Sequence, residues 1–140
     1  MASTSDPGVE GTRFGFRTGQ VIQEWGYDDD VDEDVRDALE GLGIELVDED
    51  YGDVTDSAIV WWRSGDGDST DLEDLLVDVS SALDDGGLIW VLVPKAGAHG
   101  HVRPAEIGEA ARTAGLQTTT SIAAAPAWLG VRLVAKGRGR

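Results

Sequence analysis

The chain is 140 residues long, 41% apolar and 27% charged, which is the size and balance of one globular domain; a fold of this length buries roughly two-thirds of its surface around a single core. The longest apolar run, Leu88 to Pro94, is far short of the roughly 20 residues that a membrane span requires, and the lack of cysteine excludes disulfides, thiolate metal sites and cysteine nucleophiles. The net charge of −16 is lopsided, with 25 acids against four bases up to Asp85 and two acids against seven bases after it. Nucleic acid is therefore not an expected partner, since the only clustered cations are those of Lys136-Gly-Arg-Gly-Arg140.

Taken in chain order, residues 1–11 have the small, polar composition of a disordered leader with neither the basic nor the apolar region of a secretory signal, so a cytoplasmic location is expected. Gln20 to Trp25 is short, apolar-rich and bracketed by Gly19 and Gly26, and reads as a strand. Val31, Val35, Ala38, Leu39 and Leu42 follow helical spacing, with acids in the first turn and with Gly41 and Gly43 as stops. Ile44 to Val47 is a second strand, and Ala58 to Trp62, apolar on both faces, has the pattern of a central parallel strand covered by helices. Thr70-Asp-Leu-Glu73 reads as a capping box opening a helix whose stripe is Leu72, Leu75, Leu76, Val79 and Leu83, closed by Gly86-Gly87. Leu88 to Val93 is a buried strand. Arg103 to Ala114, with Pro104 at its first position and Gly115 beyond its end, is a third helix. Leu116 to Ala123 and Trp128 to Ala135, joined across Pro126, form an antiparallel hairpin, and residues 138–140 a frayed end. The predicted fold is a single α/β domain over 12–137: a Rossmann-like three-layer α/β/α sandwich, mostly parallel, with a C-terminal antiparallel hairpin.

Residues 53–136 resemble the second half of the class I S-adenosylmethionine-dependent methyltransferases: a buried strand, an amphipathic helix, Leu-x-x-Gly-Gly-x-Leu before the next strand, a helix ending in Ala-Gly-Leu, then a hairpin. Nearly the whole chain resembles the actinobacterial DUF3052 family, through Gly15-Phe-Arg-Thr-Gly-Gln-Val-Ile-Gln-Glu-Trp-Gly26, Ile59-Val-Trp-Trp-Arg63, Trp90-Val-Leu-Val-Pro-Lys-Ala-Gly97 and Trp128-Leu-Gly-Val-Arg-Leu-Val134. The resemblance implies the fold and supplies no activity.

In the methyltransferases the first strand ends in Asp/Glu-x-Gly-x-Gly, which lets the backbone approach the methionine part of the cofactor. The matching residues are Glu24, Gly26 and, in place of the second glycine, Asp28; Asp28 to Asp30 set like charge where the cofactor carboxylate would lie. Asp48, with Glu49 and Asp50, stands where an acid after the second strand would hold ribose hydroxyls. The chain also lacks one βα unit of the complete fold.

No Gly-x-Ser-x-Gly elbow and no Walker loop is present, and the Asp28–Asp34 and Asp66–Asp68 runs fail the calcium-loop pattern. His99-Gly-His101 lacks a fixed third ligand, so no metal is expected. What the predicted sheet gathers at its carboxyl edge is Trp25, Tyr27, Trp62, Arg63, Lys95 and Trp128: aromatic bodies with two cations among them, suited to a planar anionic ligand or a partner protein. The expected function is thus a small noncatalytic α/β domain that binds a protein partner or a small anionic ligand at this edge, without a cofactor and without nucleic acid or membrane. The alternative is an S-adenosylmethionine-dependent enzyme with a degenerate glycine loop.

Overall fold

The computed structural model describes residues 11–135, so the expected leader, apart from Gly11, and the expected frayed end lie outside the described residues. A short 3-10 turn, Gly11–Phe14, leads into β1 (Val21–Trp25), α1 (Glu33–Gly41), β2 (Glu45–Val47), β3 (Ser57–Trp61), α2 (Ser69–Ser81), β4 (Ile89–Pro94), α3 (Pro104–Thr113), β5 (Leu116–Ala125) and β6 (Trp128–Ala135); a second 3-10 turn, Ser64–Asp66, lies between β3 and α2. The six strands form one sheet in the order β2-β1-β3-β4-β6-β5. The first four are parallel, and β6 runs antiparallel to both β4 and β5. The predicted α/β sandwich with a terminal hairpin is the architecture observed.

Two cores lie on opposite faces. Leu72, Leu76 and Val79 of α2 and Ile107, Ala110 and Ala111 of α3 cover Val60, Trp62, Val91 and Val131. Val35 and Leu39 of α1, with Phe14 and Phe16, cover Ile22, Ile59, Trp61, Trp90 and Leu92. Each fully buried leucine or valine contributes roughly 1.5–3 kcal/mol, and these two layers are what fix the sheet between the helices. Trp90, at the centre of the sheet, donates from Nε1 to the Phe14 carbonyl at 2.7 Å and meets the Phe14 ring edge-on. Gly130 makes room for it, since a Cβ there would lie 3.2 Å from the Trp90 ring.

Local chemistry explains the helix starts. Asp32 caps α1 by accepting from the Asp34 amide, with Glu33 and Asp34 in the favourable first turn. The capping box of α2 is formed by Asp68 and Asp71, two residues before the predicted Thr70–Glu73 pair. Asp68 and Asp71 satisfy each other's amides, which places Thr70 inside the first turn; the motif was duplicated in sequence and the earlier copy won. That helix ends at Ser81, well before Gly86-Gly87, with Ala82 as its C-cap.

The step from β2 to β3 carries no helix. Residues 48–56 cross from one side of β1 to the other, and the fully buried Gln23 amide holds them by donating toward the carbonyls of Asp48, Glu49 and Tyr51. A side-chain clamp thus stands where a complete doubly wound fold would place a βα unit. Arg132, inside β6, is half-buried and is met by a hydroxyl: its Nε donates to Thr119 Oγ1 at 2.7 Å.

Candidate functional site

The carboxyl ends of β1 and β2 border a cleft of about 380 Å³ lined by Glu24, Tyr27, Arg36, Asp48, Glu49 and Asp50. Glu24, the acid at the end of β1, is buried and spoken for. Its carboxylate accepts from the Trp61 indole at 2.9 Å and from Arg36 Nε at 3.0 and 3.1 Å. Arg36 also pairs with Glu33 at 3.0 Å and lies 4.8 Å from the centre of the Tyr27 ring. Tyr27 donates to Glu33 at 2.9 Å, and this bond beside the carboxylate holds the phenol above its ordinary pKa. Arg36 and Tyr27 together hold the Glu33 carboxyl below the usual range.

The glycine turn is closed by the chain itself. Gly26 has φ +76°, and a Cβ on it would stand 2.2 Å from the Trp61 carbonyl oxygen. The glycine is therefore required by close approach to β3, whatever else passes near. Its N–H donates to Glu49 at 2.7 Å and its carbonyl accepts from Arg63 at 2.7 Å. Asp28 and Asp48 are exposed, and their carboxylates accept from the amides of Asp29 and Asp50, so each stiffens its own loop.

Arg63 is a tie between elements. Its guanidinium pairs with Asp30 through Nε and Nη2, reaches the carbonyls of Gly26 and Trp61, lies 3.4 Å from Asp66 and sits 5.4 Å from the Trp128 ring centre. Asp30 is in turn held below the usual carboxylate range, first by the hydrogen bond from Arg63. Arg63 thus lies at the edge where it was expected, with its guanidinium engaged by the chain's own acceptors.

The sheet divides the predicted aromatic constellation. Trp25 and Trp62 pack on the α2/α3 face, Trp62 buried and Trp25 half-buried. Trp128 is buried on the other face, edge-on to Trp61 with ring centres 4.9 Å apart. The six residues therefore do not form one aromatic cage. Tyr27 is exposed at the cleft, and Lys95 is exposed just past β4, its backbone N–H bonded to the Ala127 carbonyl. His101 turns its Nδ1 to the Pro94 carbonyl at 2.8 Å. Trp61 and Arg36 were not singled out from sequence. A signal for Trp61 was present, because successive strand residues face opposite sides, so Trp61 and Trp62 had to serve different layers.

Among the described residues no helix is long and apolar enough to cross a membrane. Residues 11–137 match the family model described as "Protein of unknown function (DUF3052)", and the chain belongs to that family. Over 111 residues it is 51% identical to the uncharacterized protein Rv2239c of Mycobacterium tuberculosis and to Mb2263c of Mycobacterium bovis, covering 79% of this chain and 68% of each relative. Among solved structures it is similar to TnmH, with a TM-score of 0.65 at 14% identity, over 90% of this chain and 53% of that one. It is also similar to the O-methyltransferase NcsB1, crystallised with S-adenosylmethionine, at a TM-score of 0.57 and 18% identity over 84% of this chain and 49% of that one. The magnesium protoporphyrin IX methyltransferase ChlM of Synechocystis PCC 6803 gives 0.57 at 11% identity, over 89% of this chain and 74% of that one. The chain spans about half the length of TnmH and NcsB1. At these identities the likeness shows the fold: the protein has a methyltransferase-like Rossmann fold.

Proposed function

We propose that this chain is a noncatalytic binding domain on a methyltransferase-like scaffold, and that it meets a protein partner at the carboxyl edge of its sheet. The observation that carries the reading is the self-closed glycine turn, in which the Gly26 amide is taken by Glu49, its carbonyl by Arg63, and Glu24 by Trp61 and Arg36. S-adenosylmethionine does not fit these residues, because the amide that would meet its methionine part is already bonded and exposed Asp28 and Asp29 oppose its carboxylate. A small anionic ligand is disfavoured for the same reason. Arg36 and Arg63 are both committed to carboxylates, whereas Lys95, exposed just past β4, presents its ammonium to an acidic group on a protein surface. A second reading, an S-adenosylmethionine-dependent enzyme, is favoured by one observation, the cleft itself with Asp48, Glu49 and Asp50 at the end of β2.

A thermal-shift series with S-adenosylmethionine, its demethylated product, nucleotides and acyl-coenzyme A separates the two. No shift is expected with any of them. A ligand present at a hundred times its Kd stabilises the native state by about 2.7 kcal/mol, so a rise of several degrees with the first two alone would establish the enzyme reading. Lys95→Ala is the variant for the partner reading. Its side chain is exposed and makes no hydrogen bond or ion pair among the described residues, so unfolding free energy should change by about 0.5 kcal/mol or less. Partner capture from the native cytoplasm should fall. Equal capture by wild type and variant removes Lys95 from the surface.

A further inference from the structure

The sheet ends in β2 (Glu45–Val47) on one side and in β5 (Leu116–Ala125) on the other. A terminal strand presents a row of N–H and C=O groups to any other extended chain, and proteins blunt such an edge by keeping it short, charging it or placing proline in it. β2 is blunted in the first two ways, being three residues long with Glu45 exposed. β5 has none of these defences. It runs for 10 residues, Leu-Gln-Thr-Thr-Thr-Ser-Ile-Ala-Ala-Ala, without a charge or a proline, and Gln117 to Ser121 are exposed one after another. We infer that β5 is a self-association edge, where two copies of this chain pair antiparallel about a two-fold axis at Ser121 and join their six-stranded sheets into one.

The backbone geometry suits this. Register shifts between Thr118 and Thr120 and between Ala123 and Ala125 bracket a regular stretch in which Thr120 to Ala123 pair with Arg132 to Leu129. A bulge can itself guard an edge, but the extra residue here, Thr119, is tied back to β6, its hydroxyl accepting from Arg132 Nε at 2.7 Å. The Ala123 carbonyl accepts from the exposed side chain of Arg13 at 3.2 Å, so the backbone groups of Ala123 face away from β6, and the alternation of an antiparallel ladder turns those of Ser121 the same way. A second β5 takes up these groups and exchanges the Arg13 contact for a ladder bond. On the side of α3 the strand stands clear of the helix, leaving a groove of about 240 Å³ between Pro104 and Thr118 to Ser121.

Charge selects a second copy as the occupant. With 27 acids against 11 bases, two copies of this chain repel at most contacts, and the uncharged β5 is where they meet with least repulsion. A charged partner gains nothing from such a strand, whereas a copy of it matches in length and chemistry. Pairing about Ser121 sets that hydroxyl against its counterpart and Thr120 against Ile122, with no like charges opposed. A two-fold contact also uses both β5 edges and leaves only the guarded β2 edges, so association stops at the dimer.

The test is sedimentation velocity of the full chain over a concentration series. Strand pairing with little apolar surface around it is a weak interface, so a monomer–dimer equilibrium with a Kd from about 10 μM to about 1 mM is expected. It should tighten severalfold from about 0.02 M to about 0.5 M sodium chloride, because salt screens the repulsion between acidic copies. Ser121→Pro removes an outward N–H, and Ser121→Lys sets like charges face to face; each should weaken the dimer about tenfold, since the axis counts every change twice. Circular dichroism checks the fold of both, and the lysine variant, at an exposed position, carries the test where proline unfolds the strand. The chain has no cysteine, so a spin label at Ser121→Cys reports alone. Pairing at the axis brings the two Cβ atoms to about 5 Å, and dipolar broadening is expected there but not at Val77→Cys, on the exposed side of α2. A chain that is monomeric at about 1 mM in both salts, a dimer that both Ser121 variants leave intact, or equal broadening at the two labels overturns the proposal. So does protection of the Ser121 and Ala123 amides from hydrogen exchange that is independent of concentration, which would put the chain's own residues 1–10 on the strand.

Discussion

Gly26→Ala is expected to destabilise the domain by about 2–5 kcal/mol, the sum of a left-handed conformation for a residue with Cβ, about 1–2 kcal/mol, and an overpacked contact, about 1–3 kcal/mol. The contact is specific: the new Cβ would stand 2.2 Å from the Trp61 carbonyl oxygen, which is backbone of the central strand β3 and cannot rotate aside. Gly97→Ala is the control. It has a similar φ of +87° but nothing within 4 Å of the new Cβ, so it should show the conformational part alone. Urea unfolding of the two variants beside wild type measures the difference directly. Equal losses would mean that β3 yields at no cost and that the glycine answers only to the turn. The expected inequality places Gly26 in the framework, where its presence says nothing about a bound cofactor.

That distinction marks what a sequence of this kind discloses. The strands and helices were legible because their signals are local: the two-faced apolar run at Ala58–Trp62, the stripe Leu72, Leu76, Val79, and Pro104 at the start of α3 each encode one element. Even the misplaced capping box of α2 erred by two residues and not in kind. The site was less legible because its decisive contacts join residues far apart in sequence. Glu24 to Trp61 spans 37 positions, Gly26 to Glu49 spans 23, and Arg63 to Asp30 spans 33. A glycine after a strand looks the same whether it admits a ligand or a neighbouring carbonyl. Likewise an arginine at a sheet edge looks free until the acids around it are placed, and in a chain with 27 acids one of them was bound to arrive.

Arg63 is where this matters most, and Arg63→Ala is expected to cost about 2–4 kcal/mol. Most of that arises from the carbonyls of Gly26 and Trp61, which lose a donor 2.7 and 3.2 Å away; each unsatisfied buried polar group costs about 1–3 kcal/mol. The contact over Trp128 adds roughly 0.5–1 kcal/mol, and the pair with the half-exposed Asp30 is discounted because solvent screens it. Arg63→Lys should recover only part of the loss, since one ammonium cannot serve Asp30 and both carbonyls in their fixed directions. Acid sensitivity gives an independent reading. Arg63 lowers the folded-state pKa of Asp30, so the stability this pair supplies is fully present above the ordinary carboxylate pKa of about 3.9 and is lost as pH falls through the folded value. The gap between wild type and Arg63→Ala should therefore be widest near neutrality and narrow below about pH 4. A gap of constant size down to the acid transition would assign the whole effect to the carbonyls. A variant as stable as wild type at every pH would release Arg63 from the framework and return it to the surface as a cation available to a ligand.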